Sequence, residues 1–327
     1  MRNEVSSVRV TGTNGGVPVT MPLLTVAEED DMREDDATTV RAYYAQQSAI
    51  TDPRGYAHLF DGLPRDIAGL VAIVQGLLVH PGYASLYGFD VPSERWQEIS
   101  LRSIPDMLAR IVALDPAPLS VARPPERRLV SLCRDYAVLL VSLLRHRGVP
   151  ARLRVGFGGY FHGSGLAYWD HRIAEYWNAQ SNHWVLVDQM FDGTLRGQFG
   201  IAADMLDMAD DTPFLVAGDV WRRCRGGQAV PDEFGDSLTD IGWAPIRYAL
   251  LGDLDALNKT ELIGPDTWHE LIDKPEPDVT EDERRLLDDI AALTTNADSR
   301  FDELRALYHA TPYGQAVRRR LSDALPV

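Results

Sequence analysis

Cysteine is almost absent from this chain: two, Cys133 and Cys224, stand among 327 residues. That scarcity excludes a disulfide framework, and since neither cysteine belongs to a CxxC pair it also excludes a redox dithiol and the common thiolate zinc sites. Each thiol must be explained singly. Lysine is nearly missing as well, at Lys259 and Lys274 only, and 48 acidic residues against 32 basic ones leave a formal net charge of -16. Such a surface repels nucleic acid and anionic lipid at long range, so neither is an expected partner. No apolar run reaches the length of a membrane span, and the opening MRNEVSSVRV lacks the basic-then-apolar pattern of a secretory signal, so no membrane association and a cytoplasmic location are expected. His146, His162 and His183 stand at no metal-ligand spacing with either cysteine, and no metal or cofactor is expected.

What is present is ordinary globular material, 45% hydrophobic and 24% charged, enough for one large domain or two smaller ones. Residues 1–36 combine Gly-Gly, scattered Ser and Thr and the acidic run Glu28, Glu29, Asp30, Asp31, a mixture too poor in apolar surface to order itself, and read as a mobile acidic leader. The stretches 65–79 and 97–113 repeat apolar residues at helical spacing, with Pro105 placed to kink or split the second. A Pro-rich connector, 116–128, leads to a run from Ala137 to Leu144 that is apolar almost all round. Ser131 is positioned to cap the start of that helix, and Gly148 followed by Pro150 to end it. Strand patterns follow at 151–157, 171–178 and 183–188, and helical ones dominate later, at 239–258, 280–292 and 299–309. The expected fold class is α+β, with a central helix against an antiparallel sheet: a core over 37–235 and a helical C-terminal region over 236–327.

The chemistry concentrates around Cys133, in the first turn of the predicted central helix, where unpaired N–H groups and the positive end of the macrodipole favour a thiolate. If the turn 179–182 closes a symmetric hairpin, Asn178 faces His183 and Asp188 lies opposite Ile173. Side chains alternate along a strand, so Asp188 becomes the diagonal neighbour of His171, within reach of its ring. A carboxylate there fixes the imidazole's tautomer and leaves its other nitrogen for the thiol proton. A slip of one residue would turn Asp188 away. The glycines from Gly156 to Gly165 read as turn chemistry or an access loop, the aromatics Tyr160, Phe161, Tyr168 and Trp169 as core packing or an acyl pocket, and Cys224 as a bystander.

These blocks, in this order, resemble the transglutaminase-like superfamily of cysteine enzymes: Cys133-Arg134-Asp135-Tyr136-Ala137, then Gly148-Val149-Pro150-Ala151-Arg152, then Asp170-His171 with Glu175-Tyr176-Trp177, then His183-Trp184-Val185-Leu186-Val187-Asp188. The resemblance covers about residues 125–190 and departs from the family at Ile173, where a Trp often stands. It implies a thiol enzyme in which Cys133 attacks a carbonyl to form a thioester, His171 acts as base and then acid, and Asp188 orients it. Hydrolysis and transfer to an amine share that intermediate. The acyl donor would be a peptide, an amide or an acyl group on a carrier. The Cys133 N–H would be one oxyanion donor, with an upstream side chain such as Gln97 as a second. The alternative is a catalytically silent transglutaminase-like scaffold that binds without turning over.

Overall fold

The computed structural model describes residues 34–208, 213–266, 269–311 and 314–317. The expected leader therefore lies outside the described residues except for its last three, which open helix α1 (Glu34–Ala45). Helix α2 (Ile67–Leu77) occupies the first apolar stretch; Asp66 caps it by accepting from the Gly69 N–H, and Leu70, Val74 and Leu77 are buried. The chain runs directly on into strand β1 (Leu78–Val79). The second stretch splits at Pro105. A 3-10 turn covers Ser93–Ser100, and α3 (Ile104–Leu114) starts afresh with the proline in its first turn, where the missing N–H costs nothing, and Ser103 as its cap.

Strand β2 (Leu129–Val130) pairs in parallel with β1, and α4 (Cys133–His146) begins three residues later. Ala137, Val138, Leu139, Leu140 and Val141 are each fully buried, which makes α4 the axis of the core. Gly148 turns the chain with a φ of 71°, the left-handed conformation that ends helices at low cost in glycine. Then come β3 (Ala151–Gly158), β4 (Tyr168–Asn178) and β5 (His183–Val187), an antiparallel meander, followed by α5 (Gly193–Phe199), β6 (Phe214–Val216), α6 (Ala217–Arg225), β7 (Phe234–Gly235), α7 (Trp243–Leu257), α8 (Glu270–Asp273), α9 (Glu281–Thr295) and α10 (Phe301–Ala310). The larger sheet has the order β5-β4-β3-β6, with β7 parallel to the start of β4. The fold is α+β, as expected, with α4 packed on β4 and α7 on β3.

Several strand edges that run past their partner strand are satisfied by a side chain. The Val155 N–H of β3 donates to Asp253 of α7 at 2.9 Å, and the same carboxylate accepts from Arg154 at 3.1 and 3.0 Å. Where β5 stops, Gln189 continues its pairing: its amide accepts from the Ala174 N–H at 3.0 Å and donates to the Arg172 carbonyl at 3.3 Å. The Val130 N–H of β2 donates to Glu98 at 2.9 Å, and Glu98 is held by Arg95 and Arg110. Buried backbone groups need partners, and buried carboxylates need cations or N–H donors; each of these side chains meets one or both needs. The ion pair of Arg145 with Glu261, 2.8 Å long and without exposure on either side, follows the same logic between α4 and the segment after α7.

Candidate active site

Cys133 is the first residue of α4, and the N-cap is Leu132 rather than the expected Ser131. The Asp135 carboxylate reaches back to accept from the Leu132 N–H at 3.0 Å, the return half of a capping box, and the Ser131 N–H donates to the Val79 carbonyl at 3.0 Å. Burial pushes the Asp135 carboxyl up, while Arg134, 3.0 Å away, pulls the other way. Arg134 also donates to the carbonyls of Arg102 at 2.7 Å and Glu261 at 3.0 Å, tying the first turn to two other segments. The sulfur of Cys133 is thus carried on a fixed turn, partly exposed, at the end of a helix whose N–H groups lack intrahelical partners.

His171 lies in β4, and the hairpin that follows has the symmetric register: Asn178 pairs with His183 and Ala174 with Val187. Asp188 is the next residue, freed from the ladder because the Gln189 side chain takes over the edge. Its Oδ2 accepts from His171 Nε2 at 2.7 Å and from the Tyr160 hydroxyl at 2.6 Å, and its Oδ1 accepts from the Met190 N–H at 3.0 Å. Both His171 and Asp188 are buried, at 1% and 0% exposure. With Nε2 committed to Asp188, Nδ1 is the ring nitrogen left free for Cys133, whose side chain lies close enough to bear on the ring. Burial opposes a charge on His171, but the Asp188 carboxylate and these hydrogen bonds outweigh it and hold the imidazole's pKa up at about 10. Phe161, Phe191 and Tyr160 meet the ring edge-on at centroid distances of 5.3, 6.0 and 6.2 Å, which fixes its tilt and keeps water off it. Gly156, the cross-strand partner of His171, has no room for a side chain: a Cβ there would lie 2.2 Å from the Leu215 carbonyl oxygen.

A cleft of about 410 Å³ opens over the sulfur, lined among others by His80, Cys133, Asp170, Arg172, Asp236 and Tyr248. Arg172 bridges its wall, donating to Asp170 at 2.9 Å and to the Tyr248 hydroxyl at 2.9 Å. Burial pushes the Asp236 carboxyl up, and the charges of Asp240 and Asp170 add to the effect.

Residues 118–189 match the family model of the transglutaminase-like superfamily, a span that holds Cys133, His171 and Asp188. That stretch is similar to the transglutaminase-like core. Searches of the curated proteins and of the solved structures each returned no match. A transglutaminase-like core is in general a scaffold for cysteine-based acyl transfer or hydrolysis. Of the three residues singled out from the sequence, His171 and Asp188 are hydrogen-bonded, and Cys133 lies near enough to the imidazole to influence it. Ile173, at the family's frequent Trp position, is fully buried in the core. Gln97 is exposed and does not line the cleft, so it is no candidate for the oxyanion donor. Among the described residues, no three His, Cys, Asp or Glu gather as ligands for a metal ion.

Two residues that support the candidate site, Tyr160 and Gln189, give little signal in the sequence. Tyr160 reads there as one aromatic of a group; that its hydroxyl bonds Asp188 depends on where the β3–β4 connection folds back, which no local pattern encodes. Gln189 gives no signal beyond following a strand, and its amide becomes a strand surrogate only because β5 ends one pair early.

Proposed function

We propose that the protein is a cysteine acyltransferase or amide hydrolase that passes an acyl group through a thioester on Cys133. The thiolate of Cys133 attacks the carbonyl carbon and a C–S bond forms while the carbonyl electrons move to oxygen. The imidazolium of His171 gives its proton to the departing nitrogen as the C–N bond breaks, leaving the thioester and a neutral imidazole. Water or an amine then attacks, His171 takes its proton, and the C–S bond breaks to restore the ion pair. Asp188 holds the ring for both transfers and stays ionised throughout. The observation that carries this reading is the buried 2.7 Å hydrogen bond of His171 to Asp188, with Cys133 near the same ring and lining a cleft.

A silent scaffold has no need to bury a charged imidazole against a carboxylate at desolvation cost, and this speaks for the enzyme. We place the enzyme in the cytoplasm, acting on a peptide, an amide or a carrier-borne acyl group; no described helix is long and apolar enough to cross a membrane. The test is intact-mass detection of an adduct after exposure to a panel of thioesters, amides and peptides. Expected is one acyl increment, located at Cys133 by peptide mapping, whose decay quickens with added amine if the enzyme is a transferase. No adduct with any donor, from a protein whose Cys133 still alkylates, overturns the proposal.

A further inference from the structure

Attack on a carbonyl places negative charge on its oxygen, and the residues above offer that oxygen one donor, the Cys133 N–H, among those that a helix start leaves unpaired. His80 lines the same cleft as Cys133. It follows β1 as Ser131 follows β2, and the pairs Leu78 with Leu129 and Val79 with Val130, together with the bond from the Ser131 N–H to the Val79 carbonyl, hold the two strand exits side by side. Leu132 lines that cleft as well.

Two contacts fix that ring. Its Nδ1 accepts from the Gly82 N–H at 3.2 Å, capping the 3-10 turn Pro81–Tyr87, and its face lies over Tyr83 at a centroid distance of 4.9 Å and an interplanar angle of 30°. A nitrogen that accepts from a backbone N–H carries no proton of its own, so the neutral ring has its hydrogen on Nε2. Among the described residues, that Nε2–H has no hydrogen-bond partner. Burial pushes the pKa of His80 down to about 4, and the neighbouring charge of His171 adds to the effect, so the ring stays neutral beside a charged imidazole. A neutral donor of fixed tautomer, pinned to a strand exit and unpartnered in the cleft, is what a developing oxyanion needs: it stabilises the charge without entering the proton transfers of His171.

We propose that His80, through Nε2–H, is the side-chain donor of the oxyanion hole and acts with the Cys133 N–H on the carbonyl oxygen of the acyl substrate. The assignment rests on the acyl-enzyme reading of Cys133. No proton leaves His80; its hydrogen bond forms as the carbonyl oxygen gains charge and relaxes when the tetrahedral centre collapses.

Two amide replacements divide the ring's two jobs. In His80→Asn the side-chain oxygen reproduces the Nδ1 acceptor and keeps the Gly82 cap, but nothing reaches the Nε2 position. In His80→Gln the amide nitrogen reaches that position and the cap is lost. Each variant is compared with wild type for acylation by p-nitrophenyl acetate, which passes through an oxyanion, and for alkylation of Cys133 by iodoacetamide, which does not. We expect His80→Asn to lower acylation about 10²- to 10³-fold with alkylation changed by less than about threefold, and His80→Gln to acylate at least about tenfold faster than His80→Asn. Acylation of His80→Asn at the wild-type rate, equal losses in the two reactions, or His80→Asn outperforming His80→Gln would each overturn the assignment. A wild-type protein that alkylates at Cys133 but never acylates there sinks the thioester reading instead, and the two failures are told apart by the unmutated enzyme.

Discussion

Cys133 and Cys224 sit at opposite ends of their helices, and the contrast separates what charge in the sequence promises from what the fold delivers. Cys224 is flanked by Arg222, Arg223 and Arg225, a more basic neighbourhood along the chain than Cys133 has, yet all three arginines are exposed while the thiol is buried near the C-terminal end of α6. Burial pushes its pKa up to about 11, and the charge of Glu233 adds to the rise. A helix end that presents carbonyls disfavours an anion further. Cys133 opens α4, bears on His171, and faces a cleft. The proposed reactivity of Cys133 rests on the helix end and the packed neighbour, not on the count of nearby cationic letters.

The largest expected effect concerns the pair itself. Cys133→Ala should abolish acyl labelling, and Cys224→Ala should leave it intact, both read by intact mass; an adduct surviving on Cys224 would collapse the distinction. Next, His171→Ala should slow acylation of Cys133 on the order of 10²- to 10⁴-fold, while the slow alkylation of Cys224 is unmoved. Asp188→Asn should be nearly as costly and should lower the pKa of His171, because the carboxylate is what outweighs burial at that ring. The stability linkage has a definite sign. Since His171 is held at about 10 against an ordinary 6.5, its contribution is fully present below 6.5 and is lost as pH rises through about 10. Thermal unfolding of wild type should therefore weaken across that window, and Asp188→Asn should show a shallower slope there; identical slopes in both proteins would remove Asp188 as the cause.

Smaller effects sharpen the picture. Gln189→Ala leaves the Ala174 N–H and the Arg172 carbonyl unsatisfied, at a cost of roughly 1–3 kcal/mol, and should slow labelling at Cys133 without touching Cys224. Tyr160→Phe removes one donor to Asp188, about 0.5–1.5 kcal/mol, and its acylation rate should fall by less than tenfold; a loss as deep as that of Asp188→Asn would make Tyr160 a principal of the site rather than a support.

Much of this arrangement was legible in the chain. The helix from Cys133, the three strands after it and the hairpin register all follow from apolar periodicity and one polar turn, and the register alone carries Asp188 toward His171. Less legible were features made by meetings of distant segments. Strands β6 and β7 span three and two residues, too short for alternation to register, and α6 reads as a charged run until α9 packs on it. Ser131 reads as a cap because capping side chains are judged by position, whereas the helix starts at Cys133 and its first turn is tied by the Asp135 carboxylate to the Leu132 N–H. His80 drew no notice in the sequence, since a histidine before Pro-Gly is ordinary turn material until β1 pairs with β2.

The amide of Gln189 has a practical consequence for genetics. Positions 188 and 189 are adjacent letters with unlike jobs, one turned toward an imidazole and the other acting as a dowel that locks the hairpin. A screen for dead variants would return both and class them together. Temperature would tell them apart: chilled, the dowel mutant should regain labelling at Cys133 as the hairpin seats itself, and the carboxylate mutant should stay unlabelled at every temperature.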